Sequence, residues 1–394
     1  MDFDLAPEEE AFRREVERFL AEHASPDVMD ANPEQLSQTV DTPAKRAFVR
    51  KLAERGWLGM SWPREYGGQE RSGIYDFLLT EALSRWGAPQ CGKGVGIVGK
   101  TIIRHGNETL KRHFLPRIVR AEIEFAIGYS EPQAGSDAAN MQLRATRDAA
   151  RGGWVLRGQK IWTTSAHFAD WYWVGARTDP DVPKHKGITL FLIRMDDPGL
   201  DVRPTWTIGD ERTNEVFFDD VFVGDDFVVG ELNHGWTYIC EALDLERFAM
   251  MPVGPLEKKV EALCEHVRAA RRDGRPLRED PAARRRVAHA VTELEVSRML
   301  QRRVIAAALE GGVPTVESSQ YKLFMNETGQ RVADAALDLL GPEGQLKPGS
   351  EGVPLGGRFE RSYRYTVVDT IGGGASEIQK NIIARRGLGL PPSY

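Results

Sequence analysis

The spacing of apolar residues changes twice along the chain, and no other feature restricts the fold as much. From Pro7 to about residue 124 apolar residues recur at helical intervals. Phe12, Val16, Phe19 and Leu20 form one stripe behind Pro7 and the acids Glu8, Glu9 and Glu10, a helix start with negative charge at the positive end of the dipole. "PAKRAFVRKLAERGWLGM", "GIYDFLLTEALSRWG" and "NETLKRHFLPRIV" keep that period between Gly and Pro breaks. Near Phe125 the period shortens. "GGWVLRGQKIWTTSAHFADWYWVGARTD", "HKGITLFLIRM" and "TNEVFFDDVFVGD" are aromatic, β-branched and partly alternating, which predicts antiparallel strands. From about Gly235 helical spacing returns in "WTYICEALDLERFAMM", "EKKVEALCEHVRAARR", "PAARRRVAHAVTELEVSRMLQRRVIAAALE" and "VESSQYKLFMNETGQRVADAALDLLG". The expectation is an α+β chain: an N-terminal helical domain over 1–124, a central antiparallel β-domain over 125–232 and a C-terminal helical bundle over 233–394.

Composition narrows the function. A chain of 394 residues can bury a large core, and its formal net charge of −6 argues against nucleic acid or an anionic membrane as the main partner. No apolar run is long enough to span a bilayer, and the acidic, amphipathic N-terminus does not read as a signal peptide. Cys91, Cys240 and Cys264 make no CxxC pair, so a reduced, cytoplasmic protein is expected. The histidines show no metal-ligand spacing, and no GxSxG elbow is present, so no metal is expected. "GVGIVG", Gly94 to Gly99, matches GxGxxG, but helical sequence precedes it where a dinucleotide fold needs a strand. It reads as a glycine-rich connection.

Three stretches carry candidate chemistry. "FAIGYSEPQAGSDAANM" offers the hydroxyls of Ser130 and Ser136, Gly135, and backbone N–H groups from Ile127 onward, suited to a polar ring edge or a phosphate. In "GQKIWTTSAHF" Trp162 offers a flat face, with Thr164 one pleat further on the same side. Each stretch by itself is more often a turn or a sheet tryptophan. In "YICEALDLERFAMMPVG" Glu246 has Ile239, Ala242 and Leu243 behind it and Ala249, Met250 and Val253 ahead on one helix face. Asp244 has Glu241 and Arg247 within reach instead. A carboxylate set among apolar neighbours has a raised pKa, which suits a general base. The basic run "RAARRDGRPLREDPAARRR" reads as a solvated helix end and loop.

In order and spacing, "YSEPQAGSDAAN", "GQKIWTTSAHFADWYWVGARTD", "NHGWTYICEALDLERF" and "GGGASEIQKNIIARRGLGLP" resemble the acyl-CoA dehydrogenase family over nearly the whole chain. The resemblance implies a four-helix bundle as the C-terminal domain, an FAD cofactor, and α,β-dehydrogenation of an acyl-CoA thioester. It implies that Ile127, Tyr129, Ser130, Gly135 and Ser136 lie along the flavin and the acyl-CoA entrance, with Ser136 also touching substrate. Trp162, Thr163 and Thr164 pack on the flavin, while Gly341, Ala375 and Glu377 border the adenosine portion. One branch of the family carries its base at the position held here by Gly373, which has no side-chain acceptor. The other branch, with isovaleryl-CoA and long-chain dehydrogenases, carries it on the first bundle helix before an arginine, here Glu246 before Arg247. Gly373 would then offer its N–H to the enolate oxygen. Asp244, Arg247 and Gly374 would border the substrate. Expected partners are an electron-transfer flavoprotein or similar acceptor and further subunits, as a homodimer, homotetramer or heterotetramer.

Ala270 and Asp273 depart from the family's Arg-x-x-x-Gly pattern, which reaches FAD across the dimer, and the variants resemble actinobacterial enzymes of bulky substrates such as steroid side-chain CoA esters. A partner subunit of a heteromer, an acyl-CoA or nitroalkane oxidase, and a DNA-associated flavoprotein stand as alternatives. The acidic balance argues against the last.

Overall fold

The computed structural model describes residues 5–34, 39–249, 252–309 and 314–391, and within these it leaves out the side chains of 244–249 and 309. Five helices open the chain: α1 (Pro7–His23), α2 (Pro43–Glu54), α3 (Gly73–Trp86), α4 (Gly99–His105) and α5 (Glu108–Val119). Pro7 occupies the first turn of α1, where its missing N–H costs nothing, and the Glu9 carboxylate accepts the Ala6 N–H at 2.9 Å. Phe12, Val16, Phe19 and Leu20 are buried as one stripe. The glycine-rich Gly94–Val98 stretch is a π-helical turn running into α4 rather than an open connection, with no strand before it. Gly99 is required there, because an added Cβ would sit 2.1 Å from the Trp62 ring.

The central domain is one sheet of eight strands: β1 (Phe125–Gly128), β2 (Arg144–Asp148), β3 (Gly153–Lys160), β4 (Trp171–Arg177), β5 (Ile188–Arg194), β6 (Leu200–Trp206), β7 (Arg212–Gly224) and β8 (Val228–Val229). Its order is β6-β7-β3-β2-β4-β5-β8, with β1 also pairing with β4. The pairing is antiparallel except for β1 alongside β4 and a single β2–β4 partner pair, so the expected purely antiparallel sheet is mixed at its centre. Period two divides β4 between two cores. Trp171 and Trp173 pack toward the N-terminal helices, while Tyr172, Val174 and Ala176 fill the opposite face with Phe218 and Val221.

The chain then returns to helix: α6 (Gly235–Ala249), α7 (Gly254–Ala269), α8 (Pro281–Leu309), α9 (Thr315–Leu340), α10 (Arg358–Asp369) and α11 (Ser376–Ile382). A third core built on Leu263, Leu294, Met325 and Phe359 holds α7 to α10 together. The basic run between α7 and α8 folds as a short hairpin, β9 (Arg271–Arg272) with β10 (Arg275–Pro276), where a loop was expected. There Arg272 donates to the carbonyls of Asp338 and Leu339 and so caps the C-terminal end of α9. Long-range charges tie the domains together. Glu34 and Lys259 form a buried ion pair, and Arg361 of α10 reaches Asp30 at 3.4 Å and Glu211 at 3.2 Å.

Candidate active site

The turn after β1 is organised by a charge that sequence reasoning missed. The buried Glu131 carboxylate accepts from the backbone N–H groups of Gln142 (2.6 Å) and Leu143 (2.9 Å), from Gln133 Nε2 (2.7 Å) and from Lys160 Nζ (2.7 Å). Lys160 is fully buried at the end of β3 and also donates to the Tyr129 carbonyl at 3.3 Å. Burial pushes its ammonium down to about 8, against the pull of Glu131. Twenty-nine positions separate the two partners, so no local pattern announces the pair. It braces the Ile127–Ser136 stretch against β3, and the Ile161 N–H completes the join by donating to the Ser130 carbonyl at 3.0 Å.

Directly beyond that join stands Trp162, at a left-handed φ of +61° and with 55% of its surface exposed. Such a position is uncommon for a bulky residue. The next residue turns the other way. Thr163 is buried, its hydroxyl lies 2.8 Å from that of Tyr172, and its N–H donates to the Asn214 carbonyl at 3.0 Å. Its side chain therefore does not face the cofactor surface as expected; Thr163 positions Trp162 and Thr164 instead. Tyr129 likewise turns its hydroxyl inward to accept from Trp173 Nε1 at 2.8 Å. By contrast the hydroxyls of Ser130, Ser136 and Thr164 make no hydrogen bond among the described residues, and Gly135 and Ser136 are exposed. An open indole beside unengaged hydroxyls suits a flat aromatic group with a polar edge, which is what a flavin is.

Gly341 caps the C-terminal end of α9 and Ala375 caps α11, with Glu377 exposed in the first turn of α11. Neither stretch hydrogen-bonds to the Ser130 or Trp162 stretches among the described residues. The loop between α10 and α11 has Gly373 at φ +64° and Gly374 at φ +95°, and Gln379 Nε2 donates to the Gly374 carbonyl at 2.9 Å. A Cβ at Gly373 would meet only Lys322 Cε, at 3.5 Å, so backbone conformation rather than lack of room favours glycine there.

Helix α6 packs against β5 and the Gly94–Val98 turn. On it Ile239 and Ala242 are buried, and Glu241 reaches across to His105 Nε2 at 2.8 Å. The side chains of Asp244, Glu246 and Arg247 lie outside the described residues. Between α3, the Gly94–Val98 turn and β1 lies a cavity of about 150 Å³. Ser165 and Phe168 line it from the Trp162 loop, and Pro252 lines it just past the end of α6.

Family models match almost end to end in the order of the three domains: the acyl-CoA dehydrogenase N-terminal domain over residues 6–122, the middle domain over 126–221 and the C-terminal domain over 233–388. The chain belongs to the acyl-CoA dehydrogenase family. It is 30% identical over 400 residues to acyl-CoA dehydrogenase FadE26 of Mycobacterium tuberculosis, covering 99% of each chain. The solved Tcur3481-Tcur3483 steroid ACAD superposes with a TM-score of 0.89 at 34% identity, covering 100% of both chains. The ChsE4-ChsE5 complex of Mycobacterium tuberculosis gives 0.89 at 30% identity, again over 100% of both. This dehydrogenase is an FAD enzyme that converts an acyl-CoA thioester to its trans-2-enoyl-CoA. No helix among the described residues is long and apolar enough to cross a membrane.

Proposed function

We propose that Glu246 is the base that removes the α-proton. The observation that carries this reading is the burial of Ile239 and Ala242 on α6, seven and four residues before position 246 and therefore on its helix face. Pro252, lining the cavity just beyond, brings the end of that helix to the space an acyl group would fill. FAD, when bound, supplies the acceptor for the β-hydride. Trp162 would stack on its ring, with Ser130 and Thr164 meeting its polar edge. Gly373 would donate its N–H to the thioester oxygen as negative charge develops there. Asp244, Arg247, Gly374 and Ser136 would border the CoA ester. Replacing Glu246→Gln tests the assignment: the variant should bind acyl-CoA yet bleach its flavin anaerobically about a thousandfold more slowly, within the range of general-base contributions. Bleaching at the normal rate would show that another group takes the proton.

A bulky, steroid-type acyl group and a heteromeric assembly are the substrate and architecture we favour, on the likeness to the steroid ACAD and to the two-chain ChsE4-ChsE5 complex. An electron-transfer flavoprotein as acceptor, a cytoplasmic location and domain limits at residues 124 and 232 complete the reading.

A further inference from the structure

The cavity that Ser165 and Pro252 line is not an aliphatic slot. Asp76, Lys100, Cys91, Lys93 and Glu124 all face it, among apolar neighbours such as Leu79, Ile97 and Phe125. Two of these polar groups are already engaged: Asp76 accepts from Ser61 Oγ at 2.5 Å, and Lys93 Nζ donates to Ser165 Oγ at 3.0 Å. Two are not. Among the described residues neither the Lys100 ammonium nor the Glu124 carboxyl makes a hydrogen bond or an ion pair, although both are half-buried. Burial acts on each in its expected sense, moving Lys100 down against the attraction of Asp76 and pushing Glu124 up to about 7 against Arg46. Cys91 lines the same cavity, and burial, with Asp76 and Glu124 adding to it, pushes its thiol up.

Buried polar groups without partners are costly and are kept where a ligand completes them. A hydrocarbon tail would leave both groups unsatisfied. An anionic tail would meet Asp76 and Glu124, and a cationic one Lys93 and Lys100. The lining balances two acids against two bases, and what satisfies it is a neutral oxygen. Taking the cavity as the acyl site, as in the reading above, we infer that this dehydrogenase takes an acyl group bearing a ketone or hydroxyl remote from the thioester, with Lys100 and Glu124 as the residues that recognise it. Lys100 donates to either oxygen. Glu124 accepts from a hydroxyl when ionised and donates to a ketone when protonated.

The test is anaerobic flavin bleaching by the purified holoenzyme, with any co-purifying subunit retained. The probes are cyclohexyl-, 4-oxocyclohexyl- and 4-hydroxycyclohexyl-terminated CoA esters on propanoyl and pentanoyl linkers. An oxygenated ester should exceed its hydrocarbon match in kcat/KM by about tenfold or more on at least one linker, because a site built for a hydrogen bond rejects the analogue lacking it. Lys100→Met and Glu124→Leu should each bring that ratio down toward one, and Glu124→Gln should keep part of it. Flavin content and melting temperature check that each variant is folded, and the wild-type ratio is decisive even where a variant is not. A wild-type ratio of one or less on both linkers, bleaching by none of the oxygenated esters, or a ratio unmoved in both apolar variants overturns the inference. A failure of the Glu246 assignment is separable. It appears as normal bleaching by Glu246→Gln with every ester, whereas the ratio of ester dissociation constants on that same variant still reports the cavity.

Discussion

Two acids, seven residues apart in sequence, one buried and one half-buried, have opposite surroundings. Glu131 has four donors and a buried countercharge, while the Glu124 carboxyl is half-buried without a hydrogen bond or an ion pair among the described residues. The first arrangement holds a turn in place and the second leaves a valence open. Completeness of pairing thus separates the scaffold of this site from its binding surface, more sharply than charge or depth does. The largest expected effect tests the scaffold side. Glu131→Ala should strand the Lys160 ammonium among apolar atoms and cost about 3–5 kcal/mol, read as a lower denaturation midpoint. It should also release FAD, since the Ser130–Ile161 join depends on the braced turn. A double variant, Glu131→Gln with Lys160→Met, should recover much of the stability. If the single and double variants are equally stable, the pair is not what organises the turn.

The binding side predicts the reverse sign. Glu124→Gln removes an acid that its folded surroundings disfavour when ionised, so it should raise stability by about 1–2 kcal/mol at pH 8 while weakening activity on oxygenated esters. The sign follows from the raised value. A carboxyl held at about 7 against an ordinary 4.5 binds its proton more tightly folded than unfolded, so its contribution declines as pH rises between those values and is flat above. At pH 4 the variant should therefore gain little. Equal gains at both pH values would mean that ionisation of Glu124 is not the source.

The same contrast explains what the sequence could and could not reveal. Ile239 and Ala242 obey a helical period and are buried on α6, so that face was legible within one short segment, whereas Trp162 and Thr164, read as a period-two pair on a strand, lie past the end of β3 at Lys160, with Trp162 at φ +61°. Thr163 was expected to pack on the flavin beside them, and only Tyr172 and Asn214, both from other strands, show where its hydroxyl and N–H are used. Glu131 with Lys160, Glu34 with Lys259, and the facing of Asp76, Lys100 and Glu124 across one cavity are decided by tertiary contacts between distant segments. In a single sequence each of these charges looks like an ordinary solvated residue. The α7–α8 hairpin was hidden for a related reason: its arginines read as a solvated helix end, whereas Arg272 is held by the carbonyls at the end of α9.

Glu81 lies between the two extremes and gives the smallest of these effects. On α3 it accepts from the Val253 N–H at 3.1 Å and from Gln301 Nε2, so it has hydrogen bonds but no countercharge. Burial pushes it up to about 7, with those hydrogen bonds opposing and Glu257 adding repulsion. Like Glu124 it should weaken the fold as pH rises from 4.5 toward 7. Unlike Glu124, its replacement has something to lose. Val253 N–H and Gln301 Nε2 donate to the same carboxylate oxygen, so Glu81→Gln can keep both on its carbonyl, but its amide replaces the other oxygen near the Gly254 N–H, and a mispaired hydrogen bond costs about 1 kcal/mol. The two changes nearly cancel at pH 8, leaving a shift within about 0.5 kcal/mol, whereas at pH 5 only the loss remains and the variant should be the less stable protein. Denaturant titrations of both proteins at the two pH values measure this crossover. A stability difference independent of pH would place Glu81 with the fully satisfied acids, and the graded relation between pairing and pH response would then fail at its middle member.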